Sequence, residues 1–253
     1  MNAKNFLIAL AFLFSSIAPG RSQGWEAYEH QLEKVARIVS PAVLPIAHIG
    51  LEDAGVRGSA FLINNEGYFL TAAHVLREYK PNTGYLTLVF PQKNGMGNGG
   101  AWFEIVDKDE KLDIALCKVR GLDKEHWTWS SLSLSPAPIV AGKLVVIAGF
   151  PLGSWNASIQ PGSIAADKTV LDVPGMLPLF QVSVAGNQGD SGGPVVDLKT
   201  GRVMGIIVRG SLNASASNAG VSLWSSGIMY ALPITKVTDI LTRNHIQIIA
   251  RNN

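Results

Sequence analysis

One cysteine, Cys117, in 253 residues excludes an internal disulfide, so the fold must stand on core packing alone. Five histidines at 30, 48, 74, 126 and 245 are scattered and never paired at ligand spacing, which argues against a protein-built metal site. No cofactor signature is present. Charge is sparse: 16% of residues are Asp, Glu, Lys or Arg, the formal net charge is +2, and no basic run occurs. That leaves no electrostatic footprint for nucleic acid or an anionic membrane surface. The N-terminal apolar run, Phe6 to Phe14, is too short for a comfortable membrane span of about 20 residues.

What is present begins with that run. Lys4 precedes it, and the small residues Ala18, Gly20 and Ser22 follow it, giving the three-part layout of a secretory signal peptide over residues 1–22. Cleavage after Gly20 or Ser22 fits the small-residue requirement. The expectation is an exported protein, periplasmic or secreted, with no membrane attachment after cleavage and a mature domain over 23–253.

Trp25 to Ile38 carries apolar residues at helical spacing and predicts a short helix ended by Ser40-Pro41. From there to about Pro233 the pattern changes to short apolar runs broken by Gly, Pro and Asn. Predicted strands are VLPIAHI, GSAFLIN, YFLTA, YLTLVF, WFEIVD, DIALCKV, KLVVIAGF, LFQVSVA, GPVVDL, VMGIIVR and GIMYALPI. Hairpin signals such as Asn65-Glu66-Gly67 separate several of them, which argues for an all-β antiparallel sandwich or barrel protein. Leu122 to Pro138 has the weakest strand signal and reads as a connector between halves of about 41–121 and 139–233. An amphipathic stretch, Ile234 to Ile249, predicts a C-terminal helix packed on the second half. Cys117, within IALCKV, reads as a buried structural thiol.

The chemistry concentrates in GNQGDSGGPVVD, Gly186 to Asp197, where Ser191 sits among glycines. Serine is a poor nucleophile at neutral pH and needs a base, a group to orient the base, and donors for the oxyanion. Glycines around Ser191 allow backbone N–H groups to converge on a developing negative charge; a plain glycine turn between strands is the alternative. His74, in YFLTAAHVL, follows a strand and two alanines that let an imidazole project into a cleft; a half-buried histidine on a short helix is the alternative. Asp113, in KLDIALCKV, would share a strand face with Ala115, Cys117 and Val119, where a carboxylate needs a partner such as a histidine N–H. A strand-edge position facing solvent is the alternative. Gly189-Asp190-Ser191-Gly192-Gly193 also fits the G-x-S-x-G pattern of α/β-hydrolases. That fold needs a helix after the serine and a later histidine, which only His245 beside Asp239 could supply, whereas PVVDL and a hairpin turn follow here.

The order His74, Asp113, Ser191, carried on TAAHV, DIAL and GDSGGP, resembles the trypsin-like serine proteases. GSAFLINNEGYFLTAAHV, VVIAGFPLG and GIMYALPI bring the likeness nearest to the bacterial HtrA (Deg) type, over about Val35 to Leu241. The resemblance implies two antiparallel six-stranded β-barrels with a cleft between them. It implies a serine endopeptidase acting on protein or peptide substrates, with Ser191 as nucleophile, His74 as base, Asp113 orienting the ring, and an oxyanion hole of the Gly189 and Ser191 N–H groups. A protease-like module that only binds peptides, or an esterase-like hydrolase, is the alternative. By the same resemblance the primary pocket has its base near Ala185 and walls from Val208, Arg209 and Gly210. With no acid there, cleavage after small or medium apolar residues is expected rather than after Lys or Arg, and Arg209 leaves acidic residues open.

Two features depart from the resemblance. HtrA-type proteases usually carry a PDZ domain after the protease domain; none is expected within these 253 residues, so regulation through it is not carried over. They usually have Asn before the serine; here Asp190 stands there, as in digestive enzymes that pair it with a new N-terminus. Arg37-Ile38-Val39 offers a cleavage site of that kind, yet Ser40-Pro41 follows in place of Gly-Gly and the three residues fit a helix end. N-terminal sequencing of the active protein is expected to give a start at Gln23 or Gly24 with full activity. A start at Ile38 would show activation cleavage instead.

Overall fold

Unbroken apolar runs such as VVIA in KLVVIAG occur where a strand is covered on both faces. The computed structural model describes residues 23–77, 84–91, 98–121, 130–169, 179–210 and 227–247. The leader and Trp127 and Trp129 of the connector lie outside them. Within them the first half contains β1 (Val43–Gly50), β2 (Ala54–Leu62), β3 (Tyr68–Ala72), β4 (Gly84–Pro91), β5 (Asn98–Asp109) and β6 (Ile114–Arg120). The second contains β7 (Leu144–Gly149), β8 (Ser158–Thr169), β9 (Leu179–Ser183), β10 (Pro194–Asp197), β11 (Val203–Gly210) and β12 (Ile228–Pro233).

Each half closes into an antiparallel barrel. The first runs β1-β2-β3-β6-β5-β4 and the second, read from β7, runs β7-β8-β9-β12-β11-β10, the same order. No sequence repeat announces this duplication of architecture. Closure leaves no free sheet edge to template aggregation.

Alternate residues of one strand serve two cores. In β6, Ala115 and Cys117 fill the first barrel, while Ile114 and Leu116 face an apolar seam between the barrels. In β7, Val145 and Ile147 fill the second barrel, while Val146 and Ala148 face the seam. Phe61 of β2 and Phe150 after β7 join that seam from opposite sides. Cys117 is fully buried, and burial pushes its thiol pKa up, which keeps it unreactive.

The N-terminal helix α1 (Gln23–Val39) extends the predicted one slightly and plugs one end of the seam with Val35 and Val39. Gln31 ties it down by donating from Nε2 to the Leu198 carbonyl at 2.7 Å. A 3-10 turn with Pro41 follows, so the helix ends where Ser40-Pro41 predicts.

The C-terminal segment differs from expectation. A 3-10 turn, Ile234–Val237, leads into a short helix α2 (Thr238–Arg243), and the chain turns at Asn244 and His245. It packs into the seam through Ile234, Val237, Ile240 and Leu241, and it is clamped to the first barrel as well as the second. Arg243 donates from Nε and Nη2 to Asp107 of β5 at 2.5 and 2.8 Å, and Asn244 donates to the same carboxylate. These bonds hold the Asp107 pKa below the usual carboxylate range.

Strand β8 is absent from the predicted set. Its sequence, SIQPGSIAADKT, contains Pro161-Gly162 and little apolar alternation, yet it pairs with β7 from Ser158 to Ser163. Two register shifts against β9 accommodate its irregularity.

Because Phe61 is wholly buried where both barrels meet, Phe61→Ala is expected to lower unfolding free energy by about 3–5 kcal/mol. Chemical denaturation checks this; a loss below about 1 kcal/mol would mean the seam is not cooperative with the barrels.

Candidate active site

His74 lies in a 3-10 turn, Ala73–Leu76, that continues directly from β3. The two alanines ahead of it leave room for Asp113. That residue does not sit inside β6 as the strand-face expectation had it: it lies just before the strand in a left-handed conformation, φ 55°. The tight turn that delivers it is held by Asp109, whose carboxylate accepts from the N–H groups of Lys111 and Leu112 at 2.9 Å each. Asp113 therefore reaches across to the turn after β3, away from the barrel interior that Ala115 and Cys117 occupy.

Three hydrogen bonds join the two segments. His74 Nδ1 meets Asp113 Oδ2 at 2.7 Å, the His74 N–H donates to Asp113 Oδ1 at 2.9 Å, and the Ala73 N–H donates to the Asp113 carbonyl at 3.1 Å. A carboxylate only accepts, so the ring proton belongs on Nδ1 and Nε2 of the neutral ring is left as an acceptor.

Ser191 is brought in from the second barrel. It lines one cavity of about 430 Å³ together with His74, Gly189, Gln188, Val56 and Arg57. Val75, Leu152 and Gly153 complete the wall. The residues after Ser191 are locked by strand-like bonds: the Gly192 N–H donates to Ile207 O at 2.7 Å and the Ile207 N–H to Gly193 O at 2.9 Å. Strand β10 then begins at Pro194, which removes the helix that a nucleophile elbow requires.

Two glycines there are dictated by geometry. Gly189 has φ +99°, and a Cβ on it would lie 2.1 Å from the Phe150 carbonyl oxygen. Gly192 has φ +86°, and a Cβ there would meet the Ser59 carbonyl at 2.1 Å. The Leu152 N–H donates to the Gln188 carbonyl at 2.6 Å. In a trans peptide this turns the Gly189 N–H the opposite way.

Of the residues expected to form the primary pocket, Ala185 and Val208 are not in the described lining of this cavity. Ala185 is exposed, whereas Val208 is 4% exposed and belongs to the seam. Arg209 and Gly210 end β11. Sequence reasoning also missed Val56, Arg57 and Leu152 of the lining and the buried Ser59 behind it, because a single residue beside a glycine carries no signal of its own.

Asp190 is 1% exposed. Its Oδ2 accepts from the Asn187 N–H at 2.9 Å, while among the described residues Oδ1 has no hydrogen-bond partner. In the intact chain the Arg37-Ile38 bond lies within the unbroken helix α1. Burial pushes the Asp190 pKa up to about 6.

With site and fold in view, the chain compares with known proteins as follows. A family model, the trypsin-like peptidase domain, matches residues 58–206. The protein belongs to the trypsin-like peptidase family, and its similarities within it run to HtrA and DegP types. It is 35% identical over 151 residues to the magnetosome formation protease MamE of Magnetospirillum gryphiswaldense, covering 59% of this chain and 18% of that one. It is 30% identical over 186 residues to a probable periplasmic serine endoprotease, DegP-like, of Halomonas elongata, covering 72% and 34%. The chain thus spans well under half the length of these relatives. Among solved structures, an HtrA-type protease, AlgW with tripeptide, shares the fold with a TM-score of 0.63 at 24% identity, covering 85% of this chain and 64% of that one.

The Asp190 geometry predicts a pH dependence of stability. Its pKa is about 6 in the fold against 3.8 for an ordinary Asp, so the folded state binds more protons between those pH values. Stability therefore falls as pH rises from about 4 to about 6, by about 3 kcal/mol for a two-unit shift. Asp190→Asn is expected to flatten that slope in thermal unfolding followed across pH; an unchanged slope would show that Asp190 is already ionised at pH 4.

Proposed function

We propose that the protein is a serine endopeptidase that hydrolyses peptide bonds through Ser191, His74 and Asp113. The observation that carries this is the 2.7 Å bond from His74 to Asp113 at the rim of the cavity that Ser191 also lines. Ser191 Oγ attacks the scissile carbonyl while His74 Nε2 accepts its proton. Asp113 keeps the ring proton on Nδ1 and stabilises the imidazolium that forms. The N–H groups of Gly189 and Ser191 receive the developing oxyanion, each such donor being typically worth about 10²- to 10³-fold in rate. His74 then passes its proton to the leaving amine, and water enters by the reverse route to release the acyl group from Ser191. No step needs a cofactor.

The relatives named as periplasmic serine endoproteases support both the reaction and the export expected from residues 1–22. Protein and peptide substrates follow from an open cleft between two barrels. On specificity, the cavity carries Val56, Val75 and Leu152 with Arg57, and no carboxylate among the described residues that line it. That favours small or medium apolar side chains before the scissile bond and disfavours Lys and Arg. A peptide-library profile dominated by cleavage after Lys or Arg would overturn this specificity.

A fluorophosphonate probe is expected to label the wild-type protein on Ser191 and to leave Ser191→Ala unlabelled. His74→Ala should lose at least about 10³-fold in casein hydrolysis. Absence of both labelling and proteolysis would leave a peptide-binding module, and turnover of esters alone would leave an esterase.

A further inference from the structure

Ser59 of β2 makes hydrogen bonds to three segments that build the site: the Gly189–Ser191 turn, β3 ahead of His74, and the turn at Phe150. It is fully buried, yet it is neither part of the cavity lining nor of the chemistry assigned above. Its backbone N–H donates to the Ser191 carbonyl at 2.8 Å. Its carbonyl accepts from Thr71 Oγ1 at 2.7 Å, three residues before His74 on β3. Its hydroxyl is within 2.6 Å of the Gly189 carbonyl and 3.0 Å of the Phe150 nitrogen.

The direction of those last two bonds is forced. An amide N–H can only donate, so Phe150 occupies a lone pair of Oγ and the single hydroxyl proton goes to Gly189 O. Ser59 thereby fixes both sides of the Gly189 donor. It holds the Gly189–Asp190 peptide directly. Through Phe150 it holds the segment whose Leu152 N–H grips the preceding peptide at Gln188 O, and whose Phe150 carbonyl packs against Gly189 itself. Without the hydroxyl, a buried N–H and a buried carbonyl lose their partner at once. The Gln188–Gly189 peptide, on which the oxyanion donor sits, would keep only the Leu152 contact, made by a segment that has lost its own tie at Phe150. The space is closed as well: a Cβ on Gly149 would come within 2.9 Å of Ser59 Oγ, so a water has little room to replace it.

We propose that Ser59 is a positioning residue for oxyanion stabilisation, a hydroxyl from the first barrel that holds the Gly189 N–H of the second barrel in its working orientation. The proposal rests on the endopeptidase function above. A group that orients the donor, without touching substrate, should matter in the transition state and not in ground-state binding.

The test compares wild type with Ser59→Ala on one peptide substrate, one peptide aldehyde and the matching product peptide. The expected result is kcat lowered by about 10- to 100-fold, below the loss for deleting a donor outright, with KM within about twofold. Inhibition by the aldehyde, whose oxygen enters the oxyanion site, should weaken by the same factor, while binding of the product peptide stays unchanged. The shape of the pH profile should not change. If Ser59→Ala does not fold, Ser59→Cys fills the space with a weak donor and should show the same kcat-selective loss. Wild-type kcat in a folded variant, a loss lying wholly in KM, or unaltered aldehyde binding would overturn the proposal while leaving the endopeptidase function standing. A wild-type protein with no peptidase activity would overturn the function itself.

Discussion

The apolar seam between the barrels is the constraint on which the rest depends. Strands such as β6 and β7 are apolar on both faces, and closing each barrel buries only one of them. Pressing the barrels together buries the other, through Ile114, Leu116, Val146 and Phe150. Where the seam ends, backbone groups from both halves still need partners, and there the polar chemistry collects. His74 and Asp113 come from the turns at the end of β3 and the start of β6, strands that pair from Tyr68–Lys118 to Ala72–Ile114. Their bond is therefore set by barrel closure and not by the loops alone.

The same constraint explains why the second barrel presents Ser191, the proposed nucleophile, on a glycine-rich path. Gly189 passes against the Phe150 carbonyl and Gly192 against the Ser59 carbonyl, both at separations that exclude a side chain. Backbone touches backbone across the seam, and Ser191 is the point where that path opens into the cavity. Asp190 is carried inward by the same turn, where one oxygen is satisfied by the Asn187 N–H and the other has no partner among the described residues. Its carboxyl is held towards the neutral form by burial, which makes it a cost built into the loop that carries Ser191.

Much of this was legible in the sequence. Short apolar runs with turn punctuation gave the strands, and the order His74, Asp113, Ser191 with a strand after the serine separated the two hydrolase patterns. What was hidden was hidden for physical reasons. β8 escaped because Pro161-Gly162 and its polar residues carry no period, so its strand identity comes from its neighbours. The left-handed Asp113 could not be told from a strand residue, because its conformation is set by Asp109 capping the turn before it. α2 is short because Asn244 and Arg243 turn back to Asp107 of the first barrel, a partner more than a hundred residues away. Ser59 escaped because a serine between Gly58 and Ala60 looks like any strand position until its buried partners are seen.

The central claim is that the two barrels together make an activated serine. It is tested most directly by trapping the acyl group. The protein is mixed with an activated ester at mildly acidic pH, quenched on the burst timescale and mapped by peptide mass spectrometry, alongside Asp113→Asn. The account predicts one acyl group, on Ser191, formed in a burst by the wild type and slowed by about 10³- to 10⁴-fold in Asp113→Asn. An acyl group on another residue, or equal acylation rates in the two proteins, would contradict it.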